Sequence, residues 1–383
     1  FVGEGSLARR HGSSLYRLDP RVASRRSQDV KQEAEGGTRL GNYSMHAIAA
    51  RGSGPCQASR LAIDIGGTFT DIAIVTGDGA LLRTKVPSEL STITAAVVAA
   101  VGRVAGESEW EHVLHATTVF TNALLENKLP VTALLTTRGF RDVLPFRRFK
   151  RENLYSLDWS PPPALVSRDR ILEIDERVGA RGEVVRAVDD AEVVTAAKRI
   201  AGDGVKSVAI CFLNAYANPS HERQVRDRLA QLLPSIPVSA SGDMAPEIGE
   251  YERSSTTVAH AALKPIVSAY LADMSDSLRR AGLLGGRLFG MPSNGGLASS
   301  EQIIEQPAAA VESGPAAGAL FAGELCRMAG IQRAISFDMG GTTAKAALIE
   351  AGRPGEAREL RIGGEMHAGE GFRDRGGYVV RGR

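Results

Sequence analysis

One short pattern occurs twice in this chain, near its two ends, and it restricts the possible fold more than any other feature. Leu61 to Val75 reads as an apolar strand, a polar Asp64-Ile65-Gly66-Gly67-Thr68 turn and an apolar return strand. Ile335 to Ile349 repeats the arrangement around Asp338-Met339-Gly340-Gly341-Thr342. The two aspartates stand 274 residues apart, too far for a solenoid repeat and suited to two lobes of a duplicated fold. A glycine pair lets main-chain N–H groups approach a phosphate, because no Cβ intervenes and positive φ costs little. Asp64 is placed to hold hydrated Mg²⁺, and the Thr68 hydroxyl to donate to a phosphate oxygen. A single copy reads equally well as a glycine-bearing hairpin with a solvated aspartate. Two copies facing across a cleft would grip the phosphates of a nucleotide from both sides.

The rest of the chain supplies the elements for such lobes. After the first hairpin, a turn at Thr76-Gly77-Asp78-Gly79 and a strand from Leu81 to Val86 complete an antiparallel meander. Ser88 opens a helix carrying Ile93, Val97, Val98, Val101 and Val104 at helical spacing. Val113 to Ala116 then reads as a strand, Val119 to Glu126 as a helix and Val131 to Leu135 as a further strand. That succession predicts a parallel right-handed crossover. Three antiparallel strands followed by crossovers describe a ribonuclease-H-like lobe, with its ligand edge where the glycine turn meets the carboxyl ends of the parallel strands.

Further on, a helix over Ala191 to Ala201, a strand over Lys206 to Leu213, a helix over Pro219 to Leu233 and a strand over Ile236 to Ser239 are expected. Glu250 to Arg280 reads as one long domain-linking helix. Leu263, Val267, Tyr270, Leu271, Met274 and Leu278 follow one face, and Pro265 marks a kink or break. The domain organisation is therefore an extension over 1–58, a first lobe over 59–245, a connecting segment over 246–330 and the start of a second lobe over 331–383. The extension is expected to be disordered, since it is rich in Arg, Ser and Gly without periodicity. The chain opens on Phe1 and its last residues finish no element, so both ends read as cuts, with Met45 as a candidate start.

Composition excludes several classes. The 383 residues are 43% hydrophobic and 23% charged, with a formal net charge of +2, so no polyanionic partner is expected. No apolar run reaches the length of a membrane span. Cys56, Cys211 and Cys326 lack metal or redox spacing and fit a reducing, cytoplasmic compartment. Arg147-Arg148-Phe149-Lys150-Arg151 reads as a solvated loop or a site for an acidic substrate, not a nucleic-acid patch. His112 and His115 point to opposite faces of a strand and do not chelate together. His221-Glu222, in the first turn of a helix, reads as a surface pair.

The chain resembles the hydantoinase A/oxoprolinase family, ATP-dependent cyclic-amide hydrolase subunits related to acetone-type carboxylases, within the actin-like, sugar-kinase-like ATPase superfamily. The resemblance rests on Asp64 to Asp71, Thr117 to Glu126, Thr136 to Leu144, Glu250 to Val258, Ser293 to Gly296, Ser313 to Gly318 and Phe337 to Thr343. It runs in order from about residue 60 to the end. Many members have Ser-Thr-Asp where this chain reads Thr343-Ala344-Lys345, so an acid at that place does not carry over. Lys345 meets a phosphate there or is solvated on the return strand. Members usually have Gly where Ala116 stands, and usually continue into an adenosine-binding segment and the rest of the second lobe.

What the resemblance implies is an α/β fold of duplicated ribonuclease-H-like lobes, the second incomplete in this chain. The implied reaction is ATP-dependent hydrolysis of a hydantoin or 5-oxoproline type ring, in which the γ-phosphoryl goes to the amide oxygen and water attacks the activated carbon. Asp64 and Asp338 would bind Mg²⁺ and one would orient the attacking group. Gly66, Gly67 and Thr68 would cradle one side of the ATP polyphosphate, and Gly340, Gly341 and Thr342 the other. Thr117, Thr118, Asn122 and Arg138 are assigned to the substrate side. A B-type subunit is the implied partner, and a homo-oligomer is compatible. A ketone carboxylase subunit and a non-catalytic nucleotide-binding fragment are the alternative readings.

Overall fold

Leu61, Ile63 and Ile65 are buried while Asp64 keeps contact with solvent, and this two-residue period makes β1 (Ala58–Ile65) a strand with one face inward. The computed structural model describes residues 58–77, 79–88, 93–105, 110, 112–148, 155, 157, 164–340, 344–356, 359–362 and 378–381. Almost all of the expected extension lies outside them, as do Phe149, Lys150 and Arg151 of the basic cluster and Gly341, Thr342 and Thr343 of the second turn. All described residues belong to the unit spanning Met45–Arg383. β2 (Phe69–Thr76) returns antiparallel to β1 with Asp64 opposite Asp71, and β3 (Leu81–Pro87) extends the meander. α1 (Ile93–Ala105) buries Val97, Ala100 and Val101 in the same core, and β4 (His112–Thr117) runs parallel to β1. α2 (Val119–Leu125) follows directly, with Phe120, Thr121 and Leu124 buried.

A second sheet begins with β5 (Thr132–Thr137), every residue of which is buried, as expected of a central parallel strand covered on both faces. α3 (Val143–Phe146), β6 (Ile171–Ile174), a short hairpin of β7 (Arg177–Val178) and β8 (Val184–Arg186), and α4 (Asp190–Gly202) come next. β9 (Ser207–Cys211), α5 (Ser220–Leu232), β10 (Val238–Ala240) and α6 (Ser241–Met244) complete this region. The sheet order is β10-β9-β5-β6, all parallel.

The expected crossover from Val113–Ala116 to Val131–Leu135 within one sheet is therefore corrected: β4 and β5 belong to different sheets. The strand beside β4 comes instead from far along the chain, β11 (Arg287–Gly290), bordered by β12 (Ala298–Ser299). The first sheet thus reads β12-β11-β4-β1-β2-β3, and residues 59–245 contribute strands to both sheets. Local periodicity gives each strand its type but not its neighbour, because β4 offers the same edge to any parallel strand of matching pattern.

Between the sheets runs α7 (Glu250–Arg280), continuous through Pro265 and about 46 Å long at 1.5 Å per residue. Its first half is buried on all sides and rich in small residues, with Val258 and Ala261 packed in a core containing Leu134 and Ala209 of the second sheet. Leu263, Val267, Leu271, Met274 and Leu278 join the core of the first sheet. α8 (Ser300–Glu305) starts at a reciprocal cap in which Ser299 Oγ accepts from Gln302 N at 3.3 Å and Gln302 Oε1 accepts from Ser299 N at 2.8 Å. α9 (Ser313–Ala329) ends at Gly330, whose φ of 69° is the left-handed turn that glycine permits. The last strands are β13 (Arg333–Met339) and β14 (Ala344–Glu350), a hairpin, with β15 (Arg353–Pro354) beside it. β16 (Glu359–Ile362) and β17 (Tyr378–Arg381) pair with each other, which corrects the expectation that the last residues finish no element; Val379 and Val380 are buried in the two cores that α7 joins.

Candidate functional site

The first glycine turn is shaped by its own backbone. Gly66 N donates to Phe69 O at 3.0 Å, and a Cβ on Gly66 would stand 2.8 Å from that oxygen, so the bend excludes any larger residue. Ser88 N donates to Thr68 O at 2.9 Å, and the Thr70 and Ser88 hydroxyls pair at 2.8 Å, fastening the turn to the end of β3. Gly67 and Thr68 are exposed. Asp64 closes β1 beside this bend.

Asp64 is where the separate parts of the chain converge. Although Asp64 keeps contact with solvent, the protein packed around its carboxyl desolvates it enough to hold it above the ordinary range, the charges of Asp71 and Asp338 push it further in the same direction, and Lys85 opposes them. Asp338 lies on β13, 274 residues away in sequence, yet it is close enough for its charge to act on Asp64. Lys85 Nζ lies 2.7 Å from Asp71 Oδ2, which ties the cation to the neighbouring acid. From the opposite side comes the start of α9: a Cβ on Gly314 would lie 3.2 Å from Asp64 Oδ1. The glycine there leaves room for the carboxylate.

Ser313, next to that glycine, is buried and locked to β4. Thr117 N donates to Ser313 Oγ at 3.1 Å, and the same hydroxyl donates to Thr117 O at 3.2 Å. Thr118 N donates to Ile65 O at 2.9 Å, and its hydroxyl reaches the same oxygen at 3.3 Å. Asn122 is half-buried on α2, its N–H donating to Thr118 O at 2.9 Å. Glu312 donates its N–H to Thr121 Oγ1 at 3.0 Å, and its carboxylate forms an ion pair with Lys345. Lys345 is thus neither solvated nor waiting alone.

Below the strand ends, His115 is buried and its ring pKa is pushed down to about 4 by that burial, against a bond to Ile63 O. Its Nδ1 lies 3.3 Å from Ile63 O and its Nε2 lies 2.8 Å from the Tyr270 hydroxyl. Tyr270 is raised well above the usual phenol range by burial, with the Asp64 charge adding to the rise and a Thr117 hydroxyl bond opposing it. Sequence reasoning placed His115 and Tyr270 only on a strand face and a helix face. It missed them as partners because 155 residues separate them.

The structure therefore brings Asp64, Gly66, Gly67, Thr68, Thr117, Thr118 and Asn122 to one sheet edge, with Asp338 within electrostatic reach. Gly340 follows Met339, the last residue of β13, and is exposed; Gly341 and Thr342 lie outside the described residues. Arg138 is set apart: it stands after β5 in the second sheet and pairs with Glu192. A pocket of about 440 Å³ opens elsewhere, lined by His260, Ser293, Asn294 and Gln302 among others; Ser293 and Asn294 belong to a stretch that carries the resemblance, but none of the residues assigned from sequence to nucleotide, metal or substrate borders it.

One sequence reading is overturned. His221 and Glu222 are buried at 5% and 0% exposure, not a surface pair. His221 Nδ1 lies 2.7 Å from Glu176 Oε2. Glu222 accepts from Phe212 N at 2.8 Å, Ser241 Oγ at 2.6 Å and Gly242 N at 2.7 Å. Burial pushes Glu222 up to about 7, against those donors and the Arg253 charge. α5 turns its first residues inward because Glu176 just before β7, Phe212 just after β9 and the start of α6 supply partners for them, a tertiary fact that helix position alone does not carry.

Carboxylate oxygens at a partly solvated edge are hard donors, and Mg²⁺ is typically held by one or two of them together with water and phosphate. The like-charge repulsion felt by Asp64 is what such a cation would relieve, so Asp64 and Asp338 fit it. Among the described residues, no cluster of three or more ligating side chains forms a closed metal cage.

Family models describing the hydantoinase/oxoprolinase N-terminal region and hydantoinase/oxoprolinase match residues 60–233 and 253–373. The caprolactamase subunit alpha of Pseudomonas jessenii is 31% identical over 340 residues, covering 85% of this chain and 49% of that protein. The acetophenone carboxylase gamma subunit of Aromatoleum aromaticum is 31% identical over 312 residues, covering 75% of this chain and 42% of that one. The solved structure of an ATP-dependent caprolactamase from Pseudomonas jessenii superposes with a TM-score of 0.69 at 27% identity, over 84% of this chain and 51% of that chain. The chain spans about half the length of these relatives or less. Their likeness extends to the mixed α/β fold with its parallel sheets.

Proposed function

The chain belongs to the hydantoinase/oxoprolinase family, and from that premise we propose that it acts in ATP-dependent hydrolysis of a cyclic amide, as the A-type subunit. The observation that carries the reading is the convergence of Asp64 and Asp338, from turns at opposite ends of the sequence, on one electrostatic neighbourhood. A likeness to the caprolactamase subunit alpha and to an ATP-dependent caprolactamase structure supports it. In this reading the six-stranded sheet is the first ribonuclease-H-like lobe, into which the four-stranded sheet is inserted, and β13 to β15 begin the second.

A ring amide is resonance-stabilised and a poor electrophile. Transfer of the γ-phosphoryl to its oxygen releases ADP and leaves a carbon that water attacks, after which the ring C–N bond breaks and phosphate is lost by hydrolysis. Mg²⁺ would supply charge neutralisation between the polyphosphate and the carboxylates of Asp64 and Asp338. The Gly66-Gly67-Thr68 bend, and Gly340-Gly341-Thr342 on the other side, would present N–H and hydroxyl donors to phosphate oxygens. Thr118 and Asn122, half-buried at the same edge, are suited to orient the ring; Thr117 is buried and would act only through its bonds to Ser313 and Tyr270, and Arg138, bound to Glu192, is the weakest member of that set. A B-type subunit would complete the enzyme, as the subunit names of the relatives suggest. Among the described residues no helix is long and apolar enough to cross a membrane, and a cytoplasmic location is part of the proposal.

The likeness to the acetophenone carboxylase gamma subunit favours a second reading, ATP-dependent carboxylation of a ketone. Phosphate release from ATP separates the two. The amidase reading expects release on adding 5-oxoproline, hydantoin or a lactam without bicarbonate; the carboxylase reading requires a ketone and bicarbonate together. Asp64→Asn and Asp338→Asn should each lower turnover at least about 100-fold in a folded protein, in line with losses of charge stabilisation. Undiminished turnover in either variant would remove the two-aspartate mechanism.

A further inference from the structure

Lys345 occupies an unusual position for a cation. Register sets it opposite Asp338 across the β13–β14 hairpin, so the two side chains leave the same face side by side. Its ammonium is held by Glu312, and the pair is largely withdrawn from water, with side-chain exposures of 26% and 17%. Glu312 is fixed in turn. Its φ of 68° is left-handed for a non-glycine residue, its N–H is bound to Thr121, and the next residue, Ser313, is locked to Thr117. Two residues on from Glu312, Gly314 lies against Asp64. Lys345 therefore sits next to one aspartate and, through Glu312, at the helix start that touches the other.

We propose that Lys345 is a phosphate-binding residue of the crevice between Asp64 and Asp338, held by Glu312 until the polyphosphate of a magnesium–nucleoside triphosphate takes its ammonium over. The proposal rests on the nucleotide reading given above. A half-buried ammonium is best accommodated next to an anion, and the ion pair with Glu312 provides one. Glu312 is that anion without nucleotide, and a phosphate oxygen is an equal or better acceptor. Release leaves Glu312 at the N-terminal end of the 17-residue helix α9, where the helix dipole favours a carboxylate. The flexible lysine stem allows the exchange without backbone movement, and the compact charge suits a single phosphate oxygen. Glu312, by contrast, keeps the site from presenting a bare cation when it is empty.

Calorimetric titration of the full chain with Mg²⁺–ATP tests this. Lys345→Met should weaken Mg²⁺–ATP about 10- to 100-fold, the loss of one charge-assisted bond. Lys345→Arg should recover most of the affinity, and Glu312→Gln should not weaken it. Should Lys345→Met not fold, the double variant Glu312→Gln/Lys345→Met, which strands no carboxylate, takes its place with the same expectation. Equal losses in Lys345→Met and Glu312→Gln would make the pair a structural latch and overturn the proposal, as would wild-type affinity in Lys345→Met or in the double variant. If the wild-type chain binds no Mg²⁺–ATP, the nucleotide reading fails first and takes this inference with it.

Discussion

The Tyr270 hydroxyl lies 2.8 Å from His115 Nε2, and this contact fixes every proton in the support beneath the candidate site. Ile63 O, a carbonyl, only accepts, so His115 Nδ1 carries the proton in their 3.3 Å bond. A buried ring pushed down to about 4 is neutral at pH 7, which leaves Nε2 as an acceptor and Tyr270 as its donor. The chain of bonds joins α7 to β4 and β1 immediately before Asp64. Tyr270→Phe should remove that donor and lower turnover about 10-fold through kcat, with KM for ATP little changed. A thermal shift with kcat intact would show Tyr270 to be structural only.

His115 and Glu222 should contribute to stability with opposite dependence on pH. The folded pKa of His115 is depressed from 6.5 to about 4, so its contribution is full above 6.5 and is lost as pH falls toward 4. Glu222 is raised from 4.5 to about 7, so its contribution is full below 4.5 and is lost as pH rises through 7. Each amounts to about 3 kcal/mol across its window, and between pH 4.5 and 6.5 they offset each other. Urea unfolding across pH should therefore show His115→Gln tilted toward acid stability relative to wild type. Glu222→Gln should tilt toward neutral stability, although its amide cannot accept from all three donors and lowers the curve as a whole. Parallel curves for all three proteins would contradict the assigned shifts.

Gly314 and Gly66 should separate function from folding. Gly314→Ala places a methyl 3.2 Å from Asp64 Oδ1, near the start of a helix where alanine is favoured over glycine by about 1 kcal/mol. Turnover is expected to fall about 10-fold while the melting temperature holds or rises. Gly66→Ala drives its methyl to 2.8 Å from backbone oxygen Phe69 O, which cannot yield without opening the hairpin, so stability should fall by about 1–3 kcal/mol. Calorimetry and phosphate release on the same preparations distinguish the two outcomes, and equal destabilisation in both variants would count against the role given to Gly314.

The parts of this fold that were legible in the sequence are those encoded locally. The β1–β2 hairpin and the Glu250–Arg280 helix follow from periodicity, and the structure places them at those residues. The neighbour of β4 was not legible, because choosing β11 over β5 depends on where the intervening chain of more than 150 residues packs. The same limit explains His221–Glu222 and His115–Tyr270. Each pair looks polar and ordinary in sequence, and only the tertiary partners Glu176, Ser241 and Ile63 make it a buried network. The mutual reach of Asp64 and Asp338 could be expected from the sequence because a duplicated motif carries long-range information within a local pattern.

Asp71 offers a test of the charge arrangement that leaves the proposed catalytic groups in place. Its carboxylate is the largest charge contribution raising Asp64, after burial, while its partner Lys85 works in the opposite direction. Asp71→Asn removes the repulsion and frees the Lys85 ammonium, and both changes favour ionised Asp64. If turnover requires Asp64 as the carboxylate, the acid limb of the kcat/KM profile must move to lower pH, because the folded pKa that governs it has fallen. The plateau above the limb should stay near the wild-type value, since the partner of Asp71 is Lys85 on β3. An acid limb that stays in place, with the plateau intact, would show that a different group controls the low-pH loss. An acid limb that moves upward would reverse the sign of the Asp71 effect and contradict the geometry of the hairpin.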